Sequence, residues 1–272
     1  MAIEGDKEEK EFVTRNKIKE IKTTVFKPRK KKLKRLKTKF EKKFDEKGNL
    51  VYHKKYLSKD GKMWNCETRI YDEEYYLIER QELKNFSKDY TKISKLIYDD
   101  SKSQVWIETE EGPRNHKWNY SSIKFLNEQK QIIAQMMSEK DTLFFHYNDE
   151  GNYLGRSTSK TKFTKGNKYN ANGNLIESNF FNGTKNIYTL DSIGNCIKSE
   201  TWESNQGQYV LESWKELKYS NKLISELIIY DSENGVKERI EYFYKEELLT
   251  MKKYFNHKNK LEVIDKYEYS FY

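Results

Sequence analysis

Seventeen residues from Lys27 to Lys43 hold eleven Lys or Arg and one acid, Glu41. The segment carries a net +10 in a chain of net charge +9, so everything else sums to about −1. Ammonium and guanidinium groups packed this densely suit contact with an anionic partner: an acidic protein face, a nucleic acid or a lipid surface. Lys27, Arg29, Lys30, Lys31, Lys32, Lys34, Arg35 and Lys37 are therefore the candidate partner-binding residues. The plainer alternative is a solvated hairpin tip whose charged edge strands resist pairing. Leu33, Leu36, Phe40 and Phe44 interleave the charges, which makes part of the segment packed strand. A nucleic-acid surface usually spreads basic residues along a groove with aromatics, whereas here they cluster once.

Other reactive types are scattered. His53, His116, His146 and His257 have no neighbours at metal-ligand spacing. Cys66 and Cys196 lie far apart and form neither a zinc pattern nor a disulfide framework. Asp231-Ser232-Glu233-Asn234-Gly235 lacks the remainder of a calcium loop and its closing bidentate Glu, and reads as a turn. Nothing marks one carboxylate pair above the other acids, and there is no nucleophile elbow or phosphate-cradling Gly loop. No catalytic, cofactor-binding or metal-binding residue is assigned, and a non-enzymatic protein is expected. Trp64, Trp106, Trp118, Trp202 and Trp214 are either binding anchors or sheet core, and core is the expectation given how deeply Trp is buried on average.

The elements that must carry these groups follow from a recurrent turn. Phe44-Asp45-Glu46-Lys47-Gly48-Asn49-Leu50 returns at Tyr147 to Tyr153, at Tyr169 to Leu175 and at Leu190 to Cys196. Weaker copies start at Tyr71, Tyr98, Phe125, Tyr230 and Phe255. An Asp or Asn opens the turn by accepting a backbone N–H. Two ordinary residues follow, then a Gly in the left-handed region makes a bulge. Alternating Leu, Ile, Glu and Tyr after each turn suit strands. An aromatic before each turn closes the hairpin end against its cross-strand neighbour.

Hydrophobic residues make up 35% and aromatic residues 15% of the chain, with 21 Tyr. That is lean for a thick aliphatic core yet too aromatic for disorder. The expected fold is all-β: one elongated, twisted, open antiparallel meander of repeated hairpins with roughly twenty strands of ~20 Å each. Residues 1–11 read as a flexible polar tail and residues 12–272 as a single β-hairpin-repeat domain. The ambiguous stretch Asn127 to Lys140 is assigned to strand because it keeps the repeat register.

No apolar run reaches the ~20 residues of a membrane helix, and the first residues lack a signal core. A cytoplasmic location is expected, with periplasm or cell surface as the alternative had a leader been replaced.

At its turn residues the chain resembles the YD-repeat, or Rhs-type, β-repeat proteins of bacteria, whose unit reads aromatic-Asp-x-x-Gly-Asn-Leu. Phe44 to Leu50, Tyr147 to Leu154, Tyr169 to Ile176 and Leu190 to Ile197 carry the likeness. A weaker likeness is to the short hairpin repeats of MORN-like antitoxin and immunity proteins. The departures are a length too short for a complete shell and the absence of a proline-bearing cleavage motif around Pro28 or Pro113. What the resemblance implies is a stand-alone module that binds a protein, an immunity protein occluding a bacterial toxin with an acidic face. The alternatives are an exported surface repeat protein that binds glycans or envelope material, and nucleic-acid binding through residues 27–43.

Overall fold

The computed structural model describes residues 4–29, 32–56, 64–74, 76–84, 90–99, 101–112, 118–129, 131–138, 141–158, 166–180, 183–205, 207–233 and 235–272. Apart from one helix the described elements are strands, and the described strand registers are antiparallel, so the all-β architecture holds. The chain packs as two compact units, residues 1–142 with 265–272, and residues 143–264.

The first unit opens with helix α1 (Glu4–Arg15), then β1 (Ile18–Arg29), β2 (Lys32–Phe44), β3 (Leu50–Tyr56), β4 (Trp64–Tyr71), β5 (Leu77–Lys84), β6 (Tyr90–Tyr98), β7 (Gln104–Gly112), β8 (Trp118–Leu126) and β9 (Ile132–Ser138). Each pairs antiparallel with the next in sequence. The stretch after Asn127 is thus strand, as its register suggests.

In the second unit come β10 (Asp141–Tyr147, its first two residues in the first unit), β11 (Tyr153–Thr158), β12 (Asn167–Tyr169), β13 (Leu175–Asn179), β14 (Thr184–Leu190), β15 (Cys196–Asn205), β16 (Gln208–Ser220), β17 (Leu223–Asp231), β18 (Gly235–Lys245) and β19 (Leu248–Asn256). The last strand is β20 (Leu261–Phe271), whose residues from Asp265 onward belong to the first unit.

The turns form as their residues dictate. Asp45 Oδ1 accepts the N–H groups of Lys47 and Asn49 at 3.0 and 2.8 Å, and Gly48 sits at φ +77°. Asp72, Asn127, Asn148, Asn170, Asp191 and Asn256 each accept the N–H four residues on. A register shift falls beside the aromatic or Leu before the turn, as at Lys43/Phe44 and Thr189/Leu190. One detail departs from a single series. The turns after Tyr230 and Phe255 join β17 to β18 and β19 to β20, so they lie at the opposite strand ends from those after Tyr147, Tyr169 and Leu190. Asp/Asn chemistry closes a hairpin at either end, so the motif does not tell the ends apart. Between these turns the sequence also marks opposite-end turns at Ser58-Lys59-Asp60-Gly61 and Asn182-Gly183; residues 58–61 and Asn182 lie outside the described residues.

The open sheet is corrected. An open meander leaves its first and last strands as edges, but β1 is hydrogen-bonded to β20 as well as to β2. The Tyr272 N–H donates to the Lys17 carbonyl at 3.0 Å, and the Tyr272 hydroxyl donates to the Phe44 carbonyl. Phe40 of β2 meets Tyr267 edge-on, and Lys266 lies over the Phe26 ring. The reason is the burial that β1 requires: Ile18, Ile21, Thr23, Thr24 and Val25 are all buried, which an exposed edge would not allow.

Where a loose tail to Glu11 is expected, residues 4–15 are helical. Phe12 and Val13 give α1 one apolar turn, and Val13 is 1% exposed. The Thr14 hydroxyl donates to the Lys47 carbonyl at 3.1 Å, tying the helix to the first turn, and Glu9 pairs with Lys42. Lys17, at φ +52°, ends the helix in the left-handed region.

Candidate partner-binding hairpin

Strands β1 and β2 form a hairpin in register from Glu20↔Lys43 to Arg29↔Lys32, with bulges between Thr23/Thr24 and Val25/Phe26. β3 pairs only with residues Phe40–Phe44 of β2. Between Lys32 and Lys39, β2 has β1 on one side and no described strand on the other.

This geometry divides the basic run in two. Near β3 the charges are satisfied within the fold. Lys39 Nζ sits 2.6 Å from Asp265 Oδ2, whose side chain is 1% exposed. Lys42 pairs with Glu9, Lys22 lies 3.7 Å from Glu41, and Lys43 lies over the Tyr52 ring. Toward the hairpin end the pattern reverses. Lys27 stands directly opposite Lys34, and Arg29 opposite Lys32. Like charges facing each other across strands destabilise a sheet. Lys27, Lys34 and Arg35 are exposed and make no ion pair with a described residue, and Leu33 between them is 45% exposed. Among the described residues Arg35 reaches the Thr38 hydroxyl, at 3.5 Å. Lys37 stands opposite Val25. Lys30 and Lys31 lie outside the described residues, so of the eight predicted residues the structure brings six into one hairpin register.

Elsewhere, several charges come in matched sets. Arg69 and Arg80 hold Glu67, Arg80 also holds Glu82, and Lys92 holds Glu111. In the second unit Glu226 takes Lys218 and Arg239, and Arg239 also holds Glu241. The Lys218 hydrogen bond, then that of Arg239, keeps the Glu226 carboxyl below its ordinary range despite desolvation.

The other reactive types do not assemble a reaction centre. His146 Nε2 lies 2.8 Å from the buried Ser157 hydroxyl, a couple that the spacing of the sequence had not suggested. His53 is packed between Lys42, Glu67 and the Phe40 ring, and burial followed by the Lys42 charge pushes its pKa down. Burial, then the charge of Arg80, lowers that of Lys124. Cys66 is buried and Cys196 half-buried, both unbridged. Among the described residues no group of three or more His, Cys, Asp or Glu could hold a metal. No described helix is long and apolar enough to cross a membrane. Trp106 is 38% exposed, Trp202 and Trp214 are half-buried, and the side chains of Trp64 and Trp118 lie outside the described residues. Trp214 stacks on Tyr230 at 4.7 Å.

No protein-family model matches this chain, and no curated protein matches it. Among solved structures it is weakly similar to the Tc holotoxin pore of Photorhabdus luminescens, with a TM-score of 0.36 and 11% identity, covering 84% of this chain and 16% of that one. A TcdB2–TccC3 structure without its hypervariable C-terminal region gives a TM-score of 0.38 at 11% identity, with the same coverage. A porin-like protein from Bacteroides uniformis gives 0.37 at 9% identity, covering 93% of this chain and 98% of that one. The chain thus spans about a sixth of the toxin chains it is similar to. Likenesses of this size do not define a family, and the YD-repeat resemblance stands on the turn residues themselves.

Proposed function

We propose that the chain is a non-enzymatic binding module that grips an acidic protein surface through the end of the β1–β2 hairpin. The observation that carries this reading is the unmatched charge there. Lys27 faces Lys34 without a described counter-ion, whereas the facing cations Arg69 and Arg80 are matched by Glu67 and Glu82. Holding like charges opposite one another costs stability, and an acidic partner would relieve it on docking. Exposed Leu33 adds an apolar contact between the cations. The toxin-neutralising role implied by the YD-repeat resemblance is the particular case in which that acidic partner is a toxin.

Binding of the full chain to immobilised polyglutamate and to duplex DNA, across a salt series, tests the reading. Salt-sensitive retention on polyglutamate, lost in Lys27→Glu/Lys34→Glu/Arg35→Glu, is expected. Stronger retention on DNA, with a steep dependence on salt, would replace it by the nucleic-acid reading.

A further inference from the structure

A groove of about 490 Å³ runs across β6, β7 and β8 in the first unit. Its floor is two cross-strand rows: Ile93, Glu110 and Asn119, then Lys95, Glu108 and Ser121. Directly opposed residues on antiparallel strands share a face, so these six side chains stand together. The next row on that face is Ile97, Trp106, Ile123 and Met136, in which Ile97 is 49% and Trp106 38% exposed. Glu108 is exposed and makes no ion pair with a described residue, although Lys95 stands opposite. The surface is therefore a carboxylate-bearing groove flanked by a half-exposed apolar row.

The hairpin end has the complementary composition: Lys27, Lys34 and Arg35 exposed around an exposed Leu33. We infer that the hairpin end of one copy of this chain docks in the β6–β8 groove of a second copy. This rests on the reading that the hairpin is the gripping surface, and it adds the identity of one acidic protein that it grips. Arg35 and Leu33, on one face of β2, would meet Glu108 and the Ile97–Trp106 row, with Lys34 on the other face adding its charge at the groove wall. Two different patches meet, so the contact is heterologous and propagates head to tail into a ring or a filament. Charge dominates the complementarity, so the association is steered by charge and weakened by salt.

Sedimentation velocity of the full chain tests this at ~20 mM and ~300 mM salt, which bracket a Debye length above and below the physiological one. Concentration-dependent larger species at low salt, dispersed at high salt, are expected. Lys34→Glu/Arg35→Glu and Glu108→Lys/Glu110→Lys should each weaken association roughly tenfold or more, and mixing the two variants should restore it. Far-UV circular dichroism establishes that each variant is folded, and Glu108→Gln/Glu110→Gln serves if the reversal does not fold. A single monomeric species at low salt, or association untouched by either groove variant, would overturn the inference. If the monomer still binds polyglutamate through the hairpin, the self-docking fails alone. If polyglutamate binding is absent too, the hairpin reading fails with it.

Discussion

The hydroxyl of Tyr71 donates to the carbonyl of Leu50 across 3.1 Å, tying the entry of one turn to the exit of the turn before it. Tyr98 repeats the contact with Leu77 at 3.2 Å, Tyr169 with Tyr153 at 2.7 Å, and Tyr219 with Cys196 at 2.9 Å. The recurrent aromatic therefore does more than cover its cross-strand neighbour: its hydroxyl links successive hairpins within each unit. A Phe at the same place, as at Phe44, keeps the ring and lacks the donor.

Tyr71→Phe and Tyr98→Phe should each lower stability by about 1 kcal/mol, the net worth of one hydrogen bond, with little change in the ring packing. Urea midpoints at fixed slope measure it. Burial, with the charge of Asp72 behind it, pushes the Tyr98 hydroxyl up to about 12, so it remains a donor through the alkaline range in which the assay can be repeated.

The turns were legible because their chemistry is local. Asp45, Gly48 and Asn49 lie within five residues of one another, and a type I turn with a left-handed Gly needs nothing from elsewhere. The pairing of β1 with β20 was not legible, because the buried Ile18, Ile21 and Val25 of β1 carry no mark of a partner some 240 residues away. The same limit hid the split in the basic run. Lys39 and Lys34 are five residues apart and look alike in sequence, yet only Lys39 lies beside the buried Asp265. Helix α1 was masked by its polar composition, in which Phe12 and Val13 supply the apolar contact.

Gly48→Ala and Gly235→Ala form a matched pair. Both glycines have positive φ, +77° and +73°, so both substitutions carry a backbone cost of about 1 kcal/mol or more. A Cβ at Gly235 meets nothing within 4 Å, whereas at Gly48 it would lie 2.8 Å from the Lys10 carbonyl of α1. Gly48→Ala should therefore destabilise by a further ~1–2 kcal/mol of strain and raise protease cleavage near the helix. Equal losses at both sites would show that α1 does not rest on this turn.

His53 should make stability fall in mild acid. Its folded pKa is lowered by burial and by Lys42, against the opposing pull of Glu67 and Glu9. Above the unfolded value of ~6.5 the ring is neutral in both states and its contribution is level. As pH drops below that value, the unfolded chain takes up the proton first, and folding weakens until the folded ring titrates as well. Urea unfolding between pH 7.5 and 5 should show this positive slope, and His53→Gln should remove part of it.

The strand closure depends on a charge pair. Lys39 is the extra residue at the bulge opposite Thr23/Thr24, a position whose side chain has no cross-strand partner to stack on. Its ammonium reaches Asp265 of β20, while β1 is the strand bonded to both β2 and β20. Thr23 and Thr24 are buried and small, leaving room for the long side chain to pass. Removing the cation takes the ion-pair partner away from a carboxylate that is 1% exposed. Lys39→Met should therefore cost roughly 3 kcal/mol, the low end for breaking a buried pair, since Lys39 itself is 41% exposed. Lys39→Met/Asp265→Asn removes both charges and should recover much of that loss. The loss should also be local at first: amide exchange in β20 from Asp265 to Phe271 should quicken before exchange in β4–β8, because Asp265 lies within that segment, which pairs with β1 at the end of the chain. Uniform quickening over the whole first unit would show instead that the pair stabilises the unit globally and that β20 does not detach on its own.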